Sequence, residues 1–378
     1  MDFNFTEEQR QFRDSLDRYL REAYDFDTRR GIIGSAEGWS RAHWQQLAEL
    51  GALAIALPED HGGFGGNAFD TLLVMEALGR AMVVEPYIAT VVLGAGVIAD
   101  AGSDAQKAAL LPAVAGGEQL LAFALGEPRR RYALTQIATR ARQDGDGWSI
   151  SGHKTAVLHG DVADRIIVAA RTDGEIDSAQ GISLFVVDAD ASGLSRHGYP
   201  TQDGQRAADL RFDKVRVGAD ALIGPQHGAL PIVEKAVDAA NVALCAEAVG
   251  NMAALIEQTV NYLKTRKQFG VPIGSFQALQ HRAVDMYLHA EQARSMAYLA
   301  AAKLEAGVAE RRRAVSAAKV LVSQSARFVG QQAVQLHGGI GVTDELAVSH
   351  YFKRLTMITM LFGDVDHHLA QFGGQLAA

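Results

Sequence analysis

From Leu120 to about Pro225 the apolar residues come in short runs, whereas on either side of that stretch they recur at helical spacing. This switch of period constrains the fold more than any other feature, because side chains alternate between faces in a strand but share a face every third or fourth residue in a helix. The runs Trp148-Ser149-Ile150, Arg165 to Ala170, Ile182 to Val187 and Leu210-Arg211-Phe212 are separated by Gly, Asp and Ser clusters, as in a compact antiparallel β domain. Before them, Thr6 and Gln9 make a capping-box start, and Phe12, Leu16, Tyr19 and Leu20 then fall on one helical face. Gly62-Gly63 and Gly65-Gly66 interrupt the pattern, and further helices are expected from about Asp70, Tyr87 and Asp104. After Pro225, long Ala-rich segments begin near Leu230, Phe276, Arg311 and Tyr351, with few breakers, which suits a bundle that also buries a subunit interface. The expected class is α+β and multidomain: an N-terminal helical domain (1–118), a middle antiparallel β domain (119–226) and a C-terminal helical bundle (227–378).

A chain of 378 residues, 48% hydrophobic and 21% charged, can bury a large core and leaves little room for disorder. Its formal charge of −8 argues against nucleic acid as the partner, since phosphate neutralisation wants a basic surface. The lone cysteine, Cys245, has apolar neighbours and no partner for an internal disulfide, which fits a reducing cytoplasm. The start MDFNFTEEQRQF has no basic stretch followed by an apolar one, so no signal peptide is expected. The longest apolar stretch noted, Ile88 to Ala99, falls short of the roughly 20 residues that span a bilayer, so no membrane span is expected. The 12 histidines are scattered, and His367-His368 point about 100° apart on a helix, so no metal site is expected.

Two segments of the helical third region carry the strongest chemical signal. The first is Arg266-Lys267-Gln268-Phe269-Gly270-Val271-Pro272-Ile273, followed by Phe276-Gln277-Ala278-Leu279-Gln280; the second is Gln335-Leu336-His337-Gly338-Gly339-Ile340-Gly341. With Gly152-His153-Lys154, the Thr6-Glu7-Glu8-Gln9 start and Leu57-Pro58-Glu59, this pair resembles the acyl-CoA dehydrogenase family over nearly the whole chain. The Gly62–Gly66 loop, Glu85-Pro86-Tyr87 and His350-Tyr351-Phe352-Lys353-Arg354 also resemble small subunits of pimeloyl-CoA dehydrogenases. The resemblance implies a flavoenzyme that uses FAD to desaturate acyl-CoA thioesters between Cα and Cβ and passes electrons to an electron-transfer flavoprotein. It also implies that Arg266, Phe269, Gln277, Gln335, Gly338 and Gly339 reach the adenosine diphosphate half of FAD bound mainly by a neighbouring subunit.

The residues suit that role physically. Arg266 is a permanent cation with planar donors for a pyrophosphate, and Phe269 can meet an adenine or flavin edge. Gln277 and Gln335 offer donors and acceptors, and Gly338 and Gly339 let backbone approach a phosphate. Taken singly, Gly338-Gly339 can also simply end a helix, and Arg266-Lys267 can be a solvated face.

The chain departs from the family at the reacting centre. The family's base is a glutamate before a glycine near the chain's end, and here Phe362 stands before Gly363. A minority of the family carries the glutamate on a helix before an arginine, and here those positions are Ala240 and Asn241. The family's Thr-Glu-Pro-Gly-x-Gly-Ser segment, which wraps the flavin, is matched by Gly126-Glu127-Pro128-Arg129-Arg130-Arg131-Tyr132, and Ala156 and Leu158 replace a tryptophan and a threonine at the ring. Two expectations follow. Either the chain is the non-catalytic subunit of an α2β2 heterotetramer whose partner carries the glutamate, or a displaced carboxylate serves as base. Asp364 is the best candidate for the latter, ahead of Asp366, Asp238 and Glu247. A third reading is a redox-inactive CoA-ester-binding or structural homologue.

Overall fold

The structure, a computed structural model, describes residues 5–376. Six α-helices come first: α1 (Glu7–Ala23), α2 (Phe26–Ile33), α3 (Arg41–Glu49), α4 (Ala68–Ala81), α5 (Gly96–Ala101) and α6 (Asp104–Ala115), with a π-helical segment over Ile88–Ala95. Eight strands follow: β1 (Leu121–Ala124), β2 (Arg140–Asp144), β3 (Gly147–Leu158), β4 (Arg165–Arg171), β5 (Ile182–Asp188), β6 (Leu194–Pro200), β7 (Arg206–Val217) and β8 (Leu222–Ile223). The last part comprises α7 (Leu230–Thr265), the two-residue strands β9 (Lys267–Gln268) and β10 (Val271–Pro272), α8 (Gln277–Ala302), α9 (Val308–His337), α10 (Ala347–Met360) and α11 (Val365–Leu376).

By contacts the chain forms two compact units. Unit 1 is Met1–Gly31, Ala68–Val83 and Asn241–Ala378; unit 2 is Ile32–Asn67 and Val84–Ala240.

In unit 1, the capping box at α1 forms as expected: Gln9 N–H donates to Thr6 Oγ1 at 3.2 Å and Thr6 N–H to Gln9 Oε1 at 3.0 Å. Gln9 Nε2 also reaches Asp70 Oδ1 at 2.8 Å, tying α1 to α4. Helices α4 and α7 touch backbone to backbone, because a Cβ on Gly79 would lie 2.2 Å from Glu247 O and one on Gly250 only 1.9 Å from Glu76 O. No other residue permits that approach. Helix α7 is long and apolar enough to cross a bilayer, but 83% of its most apolar window is buried inside the protein. It is a core helix. It begins at Leu230, where the sequence places a long Ala-rich helix, and isolated polar residues such as Asn241 and Glu247 interrupt its apolar run.

In unit 2 the sheet runs β6-β7-β3-β2-β4-β5-β8, with β1 pairing β4 off that path. The β2–β3 hairpin turns at Gly145-Asp146, with Gly145 at φ 67°, so Asp144 pairs Gly147. Most pairings are antiparallel, but β1–β4 and the single β2–β4 pair are parallel, so the sheet is mixed. A parallel neighbour needs a long crossover, and the chain between Ala124 and Arg165, which itself makes the β2–β3 hairpin, supplies it. Strand β4 is buried on both faces, as its Ile166-Ile167-Val168-Ala169-Ala170 run requires. The core behind the sheet includes Trp148 against Phe185 (centroids 5.2 Å), Ile150, Val168, Leu210 and Val215.

Candidate functional site

In unit 1, Arg266, Phe269, Gln277, Gln335, Gly338 and Gly339 all lie at or beside the ends of helices, and all are exposed. Arg266 follows the last residue of α7, and its carbonyl accepts Ile273 N–H at 2.8 Å, folding the β9–β10 hairpin back on the helix end. The hairpin loop is Phe269-Gly270, with φ of 55° and 82°. Two successive positive φ values suit a tight hairpin, yet a phenylalanine pays roughly 1–2 kcal/mol for one. The residue is 92% exposed, and its ring stands edge-on to Phe276, centroids 6.2 Å apart. Strain of this kind at an exposed aromatic points to a surface that meets something. Gln277 opens α8, where Gln280 Nε2 donates to Gly274 O at 2.8 Å.

Gln335 lies in the last turn of α9, and its carbonyl accepts Gly338 N–H. Gly338 has φ 65° and ψ −145°, and a Cβ on Gly338 or Gly339 would meet nothing within 4 Å. The backbone there is open to close approach. The Tyr262 and His337 rings stack with centroids 4.4 Å apart and planes at 28°, joining the ends of α7 and α9. A permanent cation, an open glycine backbone, two exposed amides and an exposed ring fit a diphosphate with an aromatic base.

In unit 2, the segment matched to the flavin-wrapping loop is filled from within. Arg130 is 6% exposed, and its guanidinium donates to the carbonyls of Leu125 and Ala133. Burial pulls its pKa down to about 10, against the opposing pull of Glu127. Arg129 and Arg131 point out, yet keep φ of 65° and 52°, a left-handed geometry suited to the glycines they replace. Glu127 accepts from Lys154 Nζ at 2.7 Å, Ala138 N–H at 2.6 Å and Thr139 N–H at 3.0 Å. Burial alone would raise the Glu127 carboxyl, but Lys154 and these bonds hold it below its ordinary value. Burial brings the Lys154 ammonium down to about 8, more than its one carboxylate restores. Ala156, exposed at φ 51° in a bulge of β3, donates its N–H to Asp209 Oδ1 at 3.2 Å. This segment does not fit a flavin ring: a guanidinium occupies its interior and takes up the carbonyls beside it.

The loop after α10 carries the position matched to the base. Phe362 is half-buried at φ 54°, and its carbonyl accepts Asn241 Nδ2 at 3.4 Å. Lys319, fully buried in α9, donates to Asn241 Oδ1 at 3.1 Å and to the Leu361 carbonyl. Burial lowers the Lys319 pKa to about 8 and raises the neighbouring Cys245 thiol to about 12. Asp364 caps α11, its Oδ1 accepting His367 N–H at 2.9 Å. Glu247 is committed to Arg354 through contacts of 2.5 and 2.7 Å, both side chains being buried. Asp366 is exposed, Asp238 is half-buried, and Ala240 is fully buried. With Phe362 at its centre, this loop offers no proton acceptor at the matched position. Sequence reading missed Lys319, although a lysine among Val315, Ala318 and Val322 on the apolar face of α9 was a usable signal. It missed the Tyr262–His337 stack altogether, since the two lie in helices far apart in the chain.

Comparison with known proteins covers almost the whole length. Residues 6–118 match the acyl-CoA dehydrogenase N-terminal domain, 122–215 its middle domain and 230–376 its C-terminal domain. Acyl-CoA dehydrogenase FadE12 of Mycobacterium tuberculosis is 33% identical over 318 residues, 81% of this chain and 80% of that protein. Among solved structures, the Tcur3481-Tcur3483 steroid ACAD G363A variant aligns with a TM-score of 0.88 at 30% identity, covering 98% of each chain. The ChsE4-ChsE5 complex from Mycobacterium tuberculosis aligns with a TM-score of 0.90 at 27% identity, covering 100% of this chain and 99% of that one. The three domains match in order and the relatives agree, and the chain belongs to the acyl-CoA dehydrogenase family.

Proposed function

We propose that this chain is the subunit of an FAD-dependent acyl-CoA dehydrogenase that lacks the catalytic base, and that it works in an α2β2 heterotetramer. The observation that carries the reading is Phe362, a side chain with no atom that can accept a proton, at the position matched to the family's glutamate. The buried Arg130 supports it from the flavin side. The exposed helix-end set, Arg266, Phe269, Gln277, Gln335, Gly338 and Gly339, is this chain's contribution, binding the adenosine diphosphate half of FAD held by the partner. FAD, when bound, accepts the β-hydrogen of the acyl chain as hydride, and electrons leave to an electron-transfer flavoprotein. The partner supplies the glutamate for the α-proton. The ChsE4-ChsE5 structure, a complex by its own description, supports an assembly of unlike chains.

In this reading the chain is cytoplasmic, with domains at 1–118, 119–226 and 227–378. The acyl group is a dicarboxylyl or medium-chain thioester, on the resemblance to pimeloyl-CoA dehydrogenases. The steroid enzyme among the similar structures favours a bulkier, ring-derived acyl group as the second reading. The test is stoichiometry: a tagged chain recovered with its partner carries one FAD per pair of unlike chains. A full complement of FAD on this chain purified alone refutes the proposal.

A further inference from the structure

We infer that Tyr262 and His337 are positioning residues for the proposed diphosphate site, holding Arg266 and Gly338-Gly339 at the separation a cofactor needs. The inference rests on the cofactor reading above and adds to it how the site keeps its shape. Arg266 follows α7 and the glycines follow α9, and the Thr265 hydroxyl that bonds the Asn261 and Tyr262 carbonyls, at 3.0 and 3.3 Å, stays within α7 and does not tie one helix end to the other. Tyr262 lies four residues before Arg266, and its carbonyl accepts Arg266 N–H at 2.8 Å. His337 lies immediately before Gly338 and is 5% exposed. The two rings, 4.4 Å between centroids and 28° between planes, therefore join the last turn of α7 to the start of the glycine turn.

His337 is fixed on its own side. Its Nδ1 lies 2.8 Å from the Ala333 carbonyl, which turns the ring toward Tyr262. The glycine turn also folds back against it, since a Cβ on Gly341 would lie 2.9 Å from His337 Cβ. Movement of His337 is thus transmitted to Gly338 on one side and, through the stack, to Arg266 on the other. Burial holds the imidazole pKa below its ordinary value, so the ring stacks neutral and adds no charge of its own beside the diphosphate.

The test uses the assembled protein recovered through a tag on this chain, stripped of flavin and titrated with FAD. A stacked aromatic pair is worth a factor of about three to tenfold in an equilibrium constant. His337→Ala and Tyr262→Leu should each weaken FAD binding by that factor. His337→Phe, which keeps the stack and drops the bond to Ala333, should stay within about twofold of wild type. Tyr262 is half-buried, so Tyr262→Leu reports even where His337→Ala fails to fold. If Arg266→Ala weakens FAD binding while Tyr262→Leu leaves it unchanged, the positioning role is wrong and the cofactor site stands. Equal loss in His337→Phe and His337→Ala also overturns it. If Arg266→Ala changes nothing either, the cofactor reading beneath it falls.

Discussion

Replacing Arg171 with leucine should loosen one region of unit 2 without disturbing unit 1. Its side chain, 1% exposed, donates only to main-chain carbonyls: Nε to Ile137 at 3.1 Å, Nη1 to Asp173 at 3.3 Å and Gln180 at 2.9 Å, and Nη2 to Thr135, Ile176 and Ser178 at 2.7, 3.0 and 3.1 Å. One guanidinium thus pins the irregular segment before β2 to the loop after β4. The acceptors at 173–180 lie in a largely exposed loop, where water can replace the lost donors. The Ile137 carbonyl is buried and cannot be rescued, which costs about 1–3 kcal/mol by itself. With Thr135 and the lost packing the expected cost is about 3 kcal/mol, or roughly a hundredfold in the local opening constant. Hydrogen exchange of the peptide over 133–140 measures this directly, because Ile137 N–H is bonded to Ile176 O at 3.0 Å across the same joint. Lysine, with three donors on one atom, should recover only part of the protection. Exchange in Arg171→Leu within about threefold of wild type, or full protection in Arg171→Lys, would refute the reasoning.

Asp364→Asn should leave both stability and any turnover of the assembled enzyme unchanged, since asparagine caps a helix as well as aspartate; loss of turnover with flavin retained would identify Asp364 as the base. Phe362→Glu in the lone chain should give no acyl-CoA dehydrogenase activity with excess FAD, because Arg130 still fills the ring segment; measurable desaturation would contradict this. Gly250→Ala should destabilise unit 1 by about 3 kcal/mol or more, read by thermal unfolding, because its methyl would lie 1.9 Å from Glu76 O. The Lys319 ammonium, held at about 8 in the fold against an ordinary 10.5, is buried charged at pH 7. The unfolded chain binds the extra proton between pH 8 and 10.5, so stability of wild type relative to Lys319→Met should rise across that window, by up to about 3 kcal/mol. A difference that stays flat or falls with pH would contradict the assignment.

Much of the architecture was legible because it is written in local chemistry. The Thr6–Gln9 box caps α1, and the Asp104 helix start and the β-type runs at Trp148, Arg165, Ile182 and Leu210 fall inside observed elements. The elements missed lacked such a signature. Strand β1, Leu121–Ala124, is too short an apolar run to distinguish from helix, and β6 is an exposed edge without alternation. In the candidate site, glycines and arginine could be named from sequence, but what Arg130 does could not. Three consecutive arginines look alike as letters; only packing sends the middle one inward and leaves its neighbours in water. Lys319 illustrates the same limit, since its acceptors at Asn241 and Leu361 are remote in the chain.

The glycine contact between α4 and α7 also sets an order of events during synthesis. Gly79 must wait for Gly250, and a ribosome adding roughly 5–20 residues per second needs on the order of ten to thirty seconds to bridge that interval. Throughout it, Gly79 of α4 lacks its contact on α7, and Leu72, Leu73, Val74 and Met75, buried in the finished fold, belong to an incomplete unit 1 while the residues of unit 2 arrive in between. The nascent chain therefore carries a completed sheet unit and an apolar helix whose partner α7 is still missing, a natural handle for a chaperone. A chain cut at Ala240 would keep that handle permanently, with every segment of unit 2 present and α1 and α4 left without the helices of unit 1.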